Sequence, residues 1–173
     1  LDQEVQSRVD EIYADDSYFP KDQNGKNVES AMALLDHTNG EVIAMAGGRN
    51  YTVNRGYNRA TQLIRSPGST IKPLVVYGPA VAQGLSPNTI VDDVPFVKGS
   101  YKPSNYDGKY RGPVTMRTAI SLSLNMPALR LFEIVGINNG FEFGKKMTLP
   151  LVDSDANISL ALGGVTYGFS PLE

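Results

Sequence analysis

The turn sequence at residues 36–40 separates two short apolar runs, at residues 31–35 and 41–45. Apolar runs of this length around an Asn-Gly turn predict a β-hairpin. Because nearly every position in both runs is apolar, we expect strands that are buried on both faces, as central strands are in a sheet that helices cover. The hairpin therefore predicts a chain of mixed helix and strand.

Composition and charge limit the class of protein. The chain has 173 residues, of which 41% are apolar and 20% charged, which is ordinary for one globular domain. The formal net charge is −2, and the 16 Lys and Arg residues are scattered along the sequence. We therefore expect no nucleic-acid partner. No apolar stretch approaches the roughly 20 residues of a membrane span, so any anchor of the parent protein is expected outside this chain.

Helices are predicted on both sides of the hairpin from apolar periodicity and capping residues. They are an opening helix capped by Asp2, a helix between Gly68 and Gly84 with Pro79 as a candidate kink, a helix from Thr115 to Leu122, one from Pro127 to Val135, and short helices within residues 138–147 and 158–162. Residues 21–27 and 47–68 are predicted to be turns and loops, and residues 85–113 extended or looped.

Several classes of reactive site are not expected. The sequence has no cysteine, which excludes disulfides and thiolate nucleophiles. The single histidine, His37, lies in the predicted hairpin turn, far from any activated serine, so a Ser-His-Asp triad is not expected. The adjacent pairs Asp15-Asp16 and Asp92-Asp93 are expected to be solvated or to cap helices. We predict no metal and no cofactor.

Ser69 and Lys72 form an S-x-x-K sequence where the chain leaves Pro67-Gly68 and enters the predicted helix. The i, i+3 spacing places both residues on one side of that helix. A lysine can take the serine proton if desolvation and positive potential keep it partly neutral. The helix N-terminus would stabilise the oxyanion formed when Ser69 attacks a carbonyl. Because S-x-x-K also arises by chance, the motif alone leaves a structural role open.

Ser123 and Asn125 lie between two predicted short helices, which they could simply end and begin. In the functional interpretation, Ser123 passes a proton between Lys72 and the leaving amine, and the Asn125 amide binds both Lys72 and the substrate backbone. The two interpretations are compatible. We predict Ser69, Lys72 and Ser123 as catalytic residues, and Asn125 with Ser123 as substrate-binding residues.

S-x-x-K followed by S-x-N is the pattern of penicillin-binding proteins and serine β-lactamases. With further segments, the whole chain resembles the transpeptidase domain of class A penicillin-binding proteins. Those segments are Leu-Asp-His-Thr-Asn-Gly-Glu-Val at 35–42, Ala-Met-Ala-Gly-Gly at 44–48, Asn-Arg-Ala-Thr at 58–61, Tyr-Lys-Pro-Ser-Asn at 101–105 and Ala-Leu-Gly-Gly at 161–164. The Asn-Arg-Ala-Thr segment favours class A over class B enzymes.

The resemblance implies an α/β (α+β) fold of the serine β-lactamase and penicillin-binding-protein transpeptidase type, with helices packed on a central, mainly antiparallel sheet. It implies residues 1–28 as a linker and opening helix, and residues 29–173 as the N-terminal part of the transpeptidase domain. The family's third motif, Lys-Thr/Ser-Gly, does not occur in the sequence. In the family, its strand binds the substrate carboxylate and supplies one oxyanion-hole amide. We therefore expect the fold to be incomplete in this chain or completed by a second polypeptide.

The resemblance also implies a peptidoglycan D,D-transpeptidase, in which Ser69 attacks the D-Ala-D-Ala of a stem peptide and β-lactams trap the same serine. The implied partners are stem peptides or their lipid-linked precursor, β-lactam antibiotics and the missing C-terminal part of the domain. A class A parent would also carry a glycosyltransferase domain and an anchor at the extracytoplasmic face of the bacterial cell membrane. The fragment alone is expected to be inactive.

Two other functions remain open. A serine β-lactamase of class A needs a Glu with an Asn four residues later, and neither Glu133 nor Glu142 has one. A β-lactam-binding sensor or scaffold without turnover would keep the same two motifs. A fluorescent penicillin distinguishes them by the lifetime of the label, and a cross-linking assay separates a transpeptidase from a sensor.

Overall fold

The computed structural model describes residues 1–21, 24–25, 28–49, 53 and 55–173. They form two compact units, one of Leu1–Arg65 with Phe169–Glu173 and the other of Ser66–Gly168. The predicted turns at 21–27 and the predicted loop at 47–68 fall partly outside the described residues, at 22, 23, 26, 27, 50–52 and 54.

The first unit contains the predicted hairpin. Its elements are α1 (Gln3–Ala14), a 3₁₀ turn (Asp16–Tyr18), β1 (Met32–Leu35), β2 (Val42–Ala46) and α2 (Arg59–Gln62). Strand β1 pairs antiparallel with β2, with Met32 opposite Ala46. The Asp36 carboxylate accepts hydrogen bonds from the backbone and hydroxyl of Thr38, which stabilises the turn between the strands. The hairpin prediction is confirmed.

Helix α1 covers one side of this hairpin. The Asp2 carboxylate caps the helix by accepting from the Val5 backbone N–H at 3.0 Å, as predicted. Val9 and Tyr13 then pack in one apolar cluster with Ala44 and Ala46 of β2. The burial of these residues from water stabilises the contact between helix and hairpin.

The expectation that both strands are buried on both faces is wrong. Leu34 and Leu35 at the end of β1 are 37% and 45% exposed. Within the described residues the hairpin forms a sheet of only two strands. Because α1 packs mainly against β2, the apolar side chains at the end of β1 stay open to solvent.

The predicted loop at 47–68 contains a one-turn helix, α2. The Asn58 side chain caps it by accepting from the Ala60 backbone N–H at 2.9 Å. An Asn before a short helix is a common capping signal, and the polar composition of the region concealed it. After α2, Arg65 pairs with Phe169 through a hydrogen bond in each direction.

The second unit begins with the helix predicted after Pro67-Gly68, which changes type along its length. It consists of a 3₁₀ turn (Gly68–Ile71), a π-helical turn (Pro73–Tyr77) and α3 (Gly78–Ala82). Pro73 and Pro79 have no N–H to donate, so a regular α-helical ladder is interrupted at both. The Gly78 N–H instead reaches back to the Pro73 carbonyl, five residues earlier.

The remaining elements of this unit include one buried helix. They are β3 (Ile90–Asp93), β4 (Gly112–Thr115), α4 (Met116–Ser121), α5 (Asn125–Val135), α6 (Ile137–Lys146) and two 3₁₀ turns (Asp153–Asp155 and Ile158–Leu162). Helix α5 is the buried one, with Leu129, Leu131 and Phe132 fully inaccessible to solvent. These side chains form the centre of the unit's core.

Several helix boundaries agree with the sequence, and one does not. Thr115 caps α4 as predicted, accepting from the Thr118 backbone N–H at 3.1 Å. Helix α5 begins at Asn125 instead of Pro127, so Pro127 occupies the first turn, where its missing N–H has no helical acceptor to lose.

The antiparallel pairing of β3 with β4 was not predicted, because the Pro, Gly and Asn residues between them obscure the strand pattern. None of the helices in the described part of the chain is both long and apolar enough to cross a membrane.

Candidate active site

Ser69 lies in the 3₁₀ turn that begins the composite helix, with its side chain exposed to solvent. The turn is held by its neighbours on both sides. The Thr70 hydroxyl donates to the Pro67 carbonyl at 2.7 Å, and the Ser66 hydroxyl donates to the Gly163 carbonyl at 2.6 Å. The backbone that carries Ser69 is therefore fixed while its hydroxyl remains accessible.

Gly163 supports the same turn through close backbone contact. A Cβ atom at Gly163 would lie 2.4–2.5 Å from the backbone atoms of Gly68, and its φ angle is +86°. Both the space and the conformation therefore require glycine. The sequence showed Gly163 only as part of a segment shared with the family, and no role was predicted for it.

Lys72 is buried one turn after Ser69, with 1% of its surface exposed. Its side-chain nitrogen donates to the carbonyl and hydroxyl oxygens of Ser123 at 2.8 and 3.3 Å. It also donates to the Leu124 carbonyl at 3.3 Å and to Asn125 Oδ1 at 2.7 Å. Burial lowers the pKa of Lys72 to about 8, from an ordinary value of 10.5. A lysine with this pKa is partly neutral near physiological pH and can accept a proton.

Ser123 adopts an unusual backbone conformation, with a φ angle of +50°. Non-glycine residues enter this left-handed region at a cost of about 1–2 kcal/mol. Here the conformation accompanies the contact of both the carbonyl and the hydroxyl of Ser123 with Lys72. A strained residue at such a contact is typical of functional sites.

The Asn125 side chain uses its two ends differently. Its oxygen accepts from Lys72, and its amide nitrogen donates to the Ser104 carbonyl at 2.8 Å. The second amide hydrogen has no partner among the described residues, and it could bind a carbonyl of a ligand. The Asn125 amide thus connects Lys72 with Ser104, and its role in substrate binding stays a prediction.

The structure brings three of the predicted residues, Lys72, Ser123 and Asn125, into direct contact. Ser69 is connected to them through the helix, where the Lys72 backbone N–H donates to the Ser69 carbonyl. Among the described residues, the Ser69 hydroxyl makes no hydrogen bond with the Lys72 side chain. Hydrogen bonds between catalytic groups often form only when substrate binds. The catalytic roles of these residues stay predictions.

Asn105 and Asp93 belong to this arrangement and were not predicted for it. Asn105 is 2% exposed, and its side-chain oxygen accepts from the Asn125 backbone N–H at 2.8 Å. The expectation of a solvated or capping side chain is wrong for Asp93, which is fully buried and accepts from Asn105 Nδ2 at 2.7 Å. Burial alternates along β3, with Asp92 exposed and Asp93 on the inner face, and nothing in the sequence distinguished the two adjacent aspartates.

Comparison with known proteins identifies relatives of this chain. The sequence model described as "Penicillin binding protein transpeptidase domain" matches residues 30–155. Penicillin-binding protein 1F of Bacillus subtilis (strain 168) is 38% identical over 100% of this chain and 24% of that protein. Penicillin-binding protein 4 of the same organism is 40% identical over 85% of this chain and 24% of that protein. The chain thus spans about a quarter of the length of these curated relatives.

A solved structure shares the fold. The crystal structure of penicillin-binding protein 1A from Haemophilus influenzae aligns with a TM-score of 0.73 and 32% sequence identity. The alignment covers 83% of this chain and 22% of that one. The α/β transpeptidase fold expected from the sequence is confirmed.

Proposed function

Because the chain belongs to the family of penicillin-binding protein transpeptidase domains, we propose that Ser69 is the nucleophile of a peptidoglycan D,D-transpeptidase. The observation that carries this proposal is the buried Lys72 amine, bonded to both Ser123 and Asn125 one turn beyond the exposed Ser69. A serine hydroxyl needs a nearby base to become nucleophilic, and a desolvated lysine can supply one.

The proposed reaction proceeds in two transfers. Neutral Lys72 takes the Ser69 proton as the serine oxygen bonds to the penultimate D-Ala carbonyl carbon, and Ser123 returns the proton to the terminal D-Ala amine as the C–N bond breaks. An amine of a second stem peptide then attacks the acyl carbon and forms an amide bond as the bond to the Ser69 oxygen breaks. Lys72 takes the proton that this amine loses and returns it to the Ser69 oxygen. The free amide hydrogen of Asn125 binds the substrate backbone during both transfers. β-Lactams acylate the same serine.

The test uses the full-length protein that contains this chain and a fluorescent penicillin. We expect covalent label on the peptide that carries Ser69, located by mass spectrometry, and no label on a Ser69→Ala variant. Ser121→Ala is the matched control, because Ser121 is an exposed helical serine whose hydroxyl, among the described residues, bonds only to Thr118 of its own helix. Label at another residue, or label that survives in Ser69→Ala, would contradict the proposal.

The fate of the label separates the related functions. A transpeptidase keeps the label and also cross-links stem peptides from a lipid-linked precursor. A sensor or scaffold keeps the label without cross-linking, and a β-lactamase loses it rapidly by hydrolysis. No observation in this chain favours the latter two.

The parent protein is proposed to be a class A enzyme with a glycosyltransferase domain and a membrane anchor, facing the outside of the cytoplasmic membrane. The resemblance of the Asn-Arg-Ala-Thr segment and the fraction of the relatives that this chain spans support this proposal. Glycan polymerisation by the full-length protein, and its digestion by protease added to the outside of intact spheroplasts, are the corresponding measurements.

The 173-residue chain is proposed to be inactive alone. The exposed Leu34 and Leu35 of β1 and the absence of a Lys-Thr/Ser-Gly sequence support this proposal. Loss of one oxyanion donor lowers the rate by about 100- to 1000-fold. Residues 1–173 should be expressed with and without the downstream segment, and penicillin acylation should be compared. Equal rates would contradict the proposal.

A further inference from the structure

Helix α5 begins without a capping side chain of its own. Its N-cap residue, Leu124, has no polar side chain to bond to the first backbone N–H groups. The oxygen of Asn105 takes this place from a distant part of the chain, accepting from the N–H groups of Asn125 and Met126 at 2.8 and 3.4 Å. A buried helix start needs such acceptors, because its first N–H groups have no partner within the helix.

The orientation of the Asn105 amide is determined by Asp93. An ionised carboxylate can only accept hydrogen bonds, so Asp93 Oδ1, at 2.7 Å, must face the Asn105 nitrogen. That nitrogen also donates to the Lys109 carbonyl at 2.7 Å. With both donors used in this way, the oxygen of Asn105 must point toward α5.

Asp93 is itself held by Arg111 on the other side. Its second oxygen accepts from the Arg111 backbone N–H at 3.0 Å and lies 3.5 Å from the Arg111 guanidinium. The charge of Asp93 is thus partly balanced although the side chain is fully buried. The pair Asp93 and Asn105 is therefore a fixed part of the core.

The same pair acts on the residue that contacts Lys72. The Asn105 side-chain oxygen accepts from the Asn125 backbone N–H. The carbonyl of the adjacent Ser104 accepts from the Asn125 side-chain nitrogen at 2.8 Å. Two neighbouring residues therefore set both the position of Asn125 and the direction of its amide. That amide presents its oxygen to Lys72 at 2.7 Å.

We propose that Asn105, oriented by Asp93, is a positioning residue that holds the Asn125 amide against Lys72. The inference rests on the proposed function of Ser69 as the acylated residue. Among the described residues Asn105 makes no hydrogen bond with Lys72 or Ser69, and it bonds to the backbone of Asn125, so it acts through Asn125. Small displacements of groups that position a reaction have large effects on its rate.

The test measures the rate constant for acylation of Ser69 by a fluorescent penicillin in the full-length protein. We expect Asn105→Ala to lower this rate constant by about 10- to 100-fold, because Asn125 loses its backbone acceptor. The final amount of label counts the active molecules, so partial unfolding lowers the amplitude and leaves the rate constant unchanged. A loss of amplitude alone would overturn the positioning role.

Asn139→Ala is the matched control. Asn139 bonds at the opposite end of α5, where its amide donates to the Val135 carbonyl at 2.8 Å. Its replacement loosens the same helix without touching Asn125. We expect a wild-type rate constant in Asn139→Ala, and an equal decrease in both variants would overturn the proposal by indicating general loosening of α5.

A pair of charge-exchanging variants tests the contact between Asp93 and Asn105 directly. Asn105→Asp alone places two carboxylates face to face, and we expect a rate constant as low as that of Asn105→Ala. Adding Asp93→Asn restores one donor and one acceptor at the contact, so the double variant should recover at least about 5-fold, and not fully, because the bond to Lys109 is lost. Absence of recovery would overturn the role of Asp93.

These results separate the two proposals. Absence of label on Ser69 in the wild-type protein contradicts the proposed function. Label on Ser69 with an unchanged rate constant in Asn105→Ala contradicts only the positioning role. The positioning role is supported if the rate constant falls in Asn105→Ala and Asn105→Asp and recovers in the double variant. The rate constant of Asn139→Ala should then equal that of the wild-type protein.

Discussion

The side-chain nitrogen of Lys72 lies 2.7 Å from the side-chain oxygen of Asn125. The two residues come from different helices, and each is fixed by further contacts. Lys72 is enclosed by the backbone carbonyls of Ser123 and Leu124, and Asn125 is held by Ser104 and Asn105. The position of the Lys72 amine is therefore fixed by acceptors from three consecutive residues, Ser123, Leu124 and Asn125.

The acylation rate should depend on the protonation of Lys72. Burial lowers its pKa to about 8, and only the neutral amine can take the Ser69 proton. The rate constant for penicillin acylation should therefore rise as the pH increases through about 8 and level off above it. It should be measured from pH 6 to 10 in the full-length protein. A rate constant that is constant over this range would contradict the role of Lys72 as the base.

Lys72→Arg should remove this dependence and most of the activity. The guanidinium remains charged throughout the accessible pH range and cannot act as a base. We expect the rate constant to fall by about 100-fold or more, which is the usual contribution of a general base. Retention of a rise near pH 8 in this variant would assign the titration to another group.

Ser123 can be tested separately for its hydroxyl and for its backbone. Ser123→Gly and Ser123→Ala both remove the hydroxyl that lies 3.3 Å from Lys72, so both should lower acylation by about 100-fold. Only glycine adopts the φ of +50° without strain, so the Ala variant should be less stable than the Gly variant by about 1 kcal/mol. Rates come from penicillin labelling and stabilities from urea unfolding. A wild-type rate in Ser123→Gly would exclude a proton relay through the hydroxyl.

Gly163→Ala should disturb the turn that carries Ser69. The added Cβ would overlap the backbone of Gly68 at 2.4–2.5 Å, so we expect a loss of about 2–4 kcal/mol in unfolding free energy and slower acylation. Gly84→Ala is the control, because its φ of +92° is similar and nothing lies within 4 Å of the new methyl group. It should lose only about 1 kcal/mol and keep the wild-type rate. Equal effects of both substitutions would show that conformation alone explains the need for glycine.

Tyr77→Phe should not weaken the core of the second unit. The Tyr77 hydroxyl is buried and has no hydrogen-bond partner among the described residues. Because an unpartnered buried hydroxyl is unfavourable, its removal should leave the unfolding free energy unchanged or raise it by about 1 kcal/mol. Tyr13→Phe is the control, since the Tyr13 hydroxyl lies 3.1 Å from the Ser30 hydroxyl, and it should lose about 1 kcal/mol. A loss in Tyr77→Phe as large as that in Tyr13→Phe would indicate a partner for the Tyr77 hydroxyl.

The amino-acid sequence was sufficient for features that depend on neighbouring residues. Asp2 and Thr115 cap helices through N–H groups three residues away, and the turn at 36–40 connects strands that follow each other directly. The S-x-x-K spacing likewise placed Ser69 and Lys72 on successive turns of one helix. Local hydrogen bonding and periodicity determine these features, so they can be predicted without knowing the fold.

The tertiary structure decided the features that join distant segments. The burial of Lys72 against Ser123 and Asn125, the approach of Gly163 to Gly68, and the capping of α5 by Asn105 each link residues far apart in the sequence. Asp93 looked like a surface carboxylate beside Asp92, yet the pairing of β3 with β4 turned it inward. Which polar groups are buried together depends on how the elements pack, because burial is a property of the folded arrangement and not of any one segment.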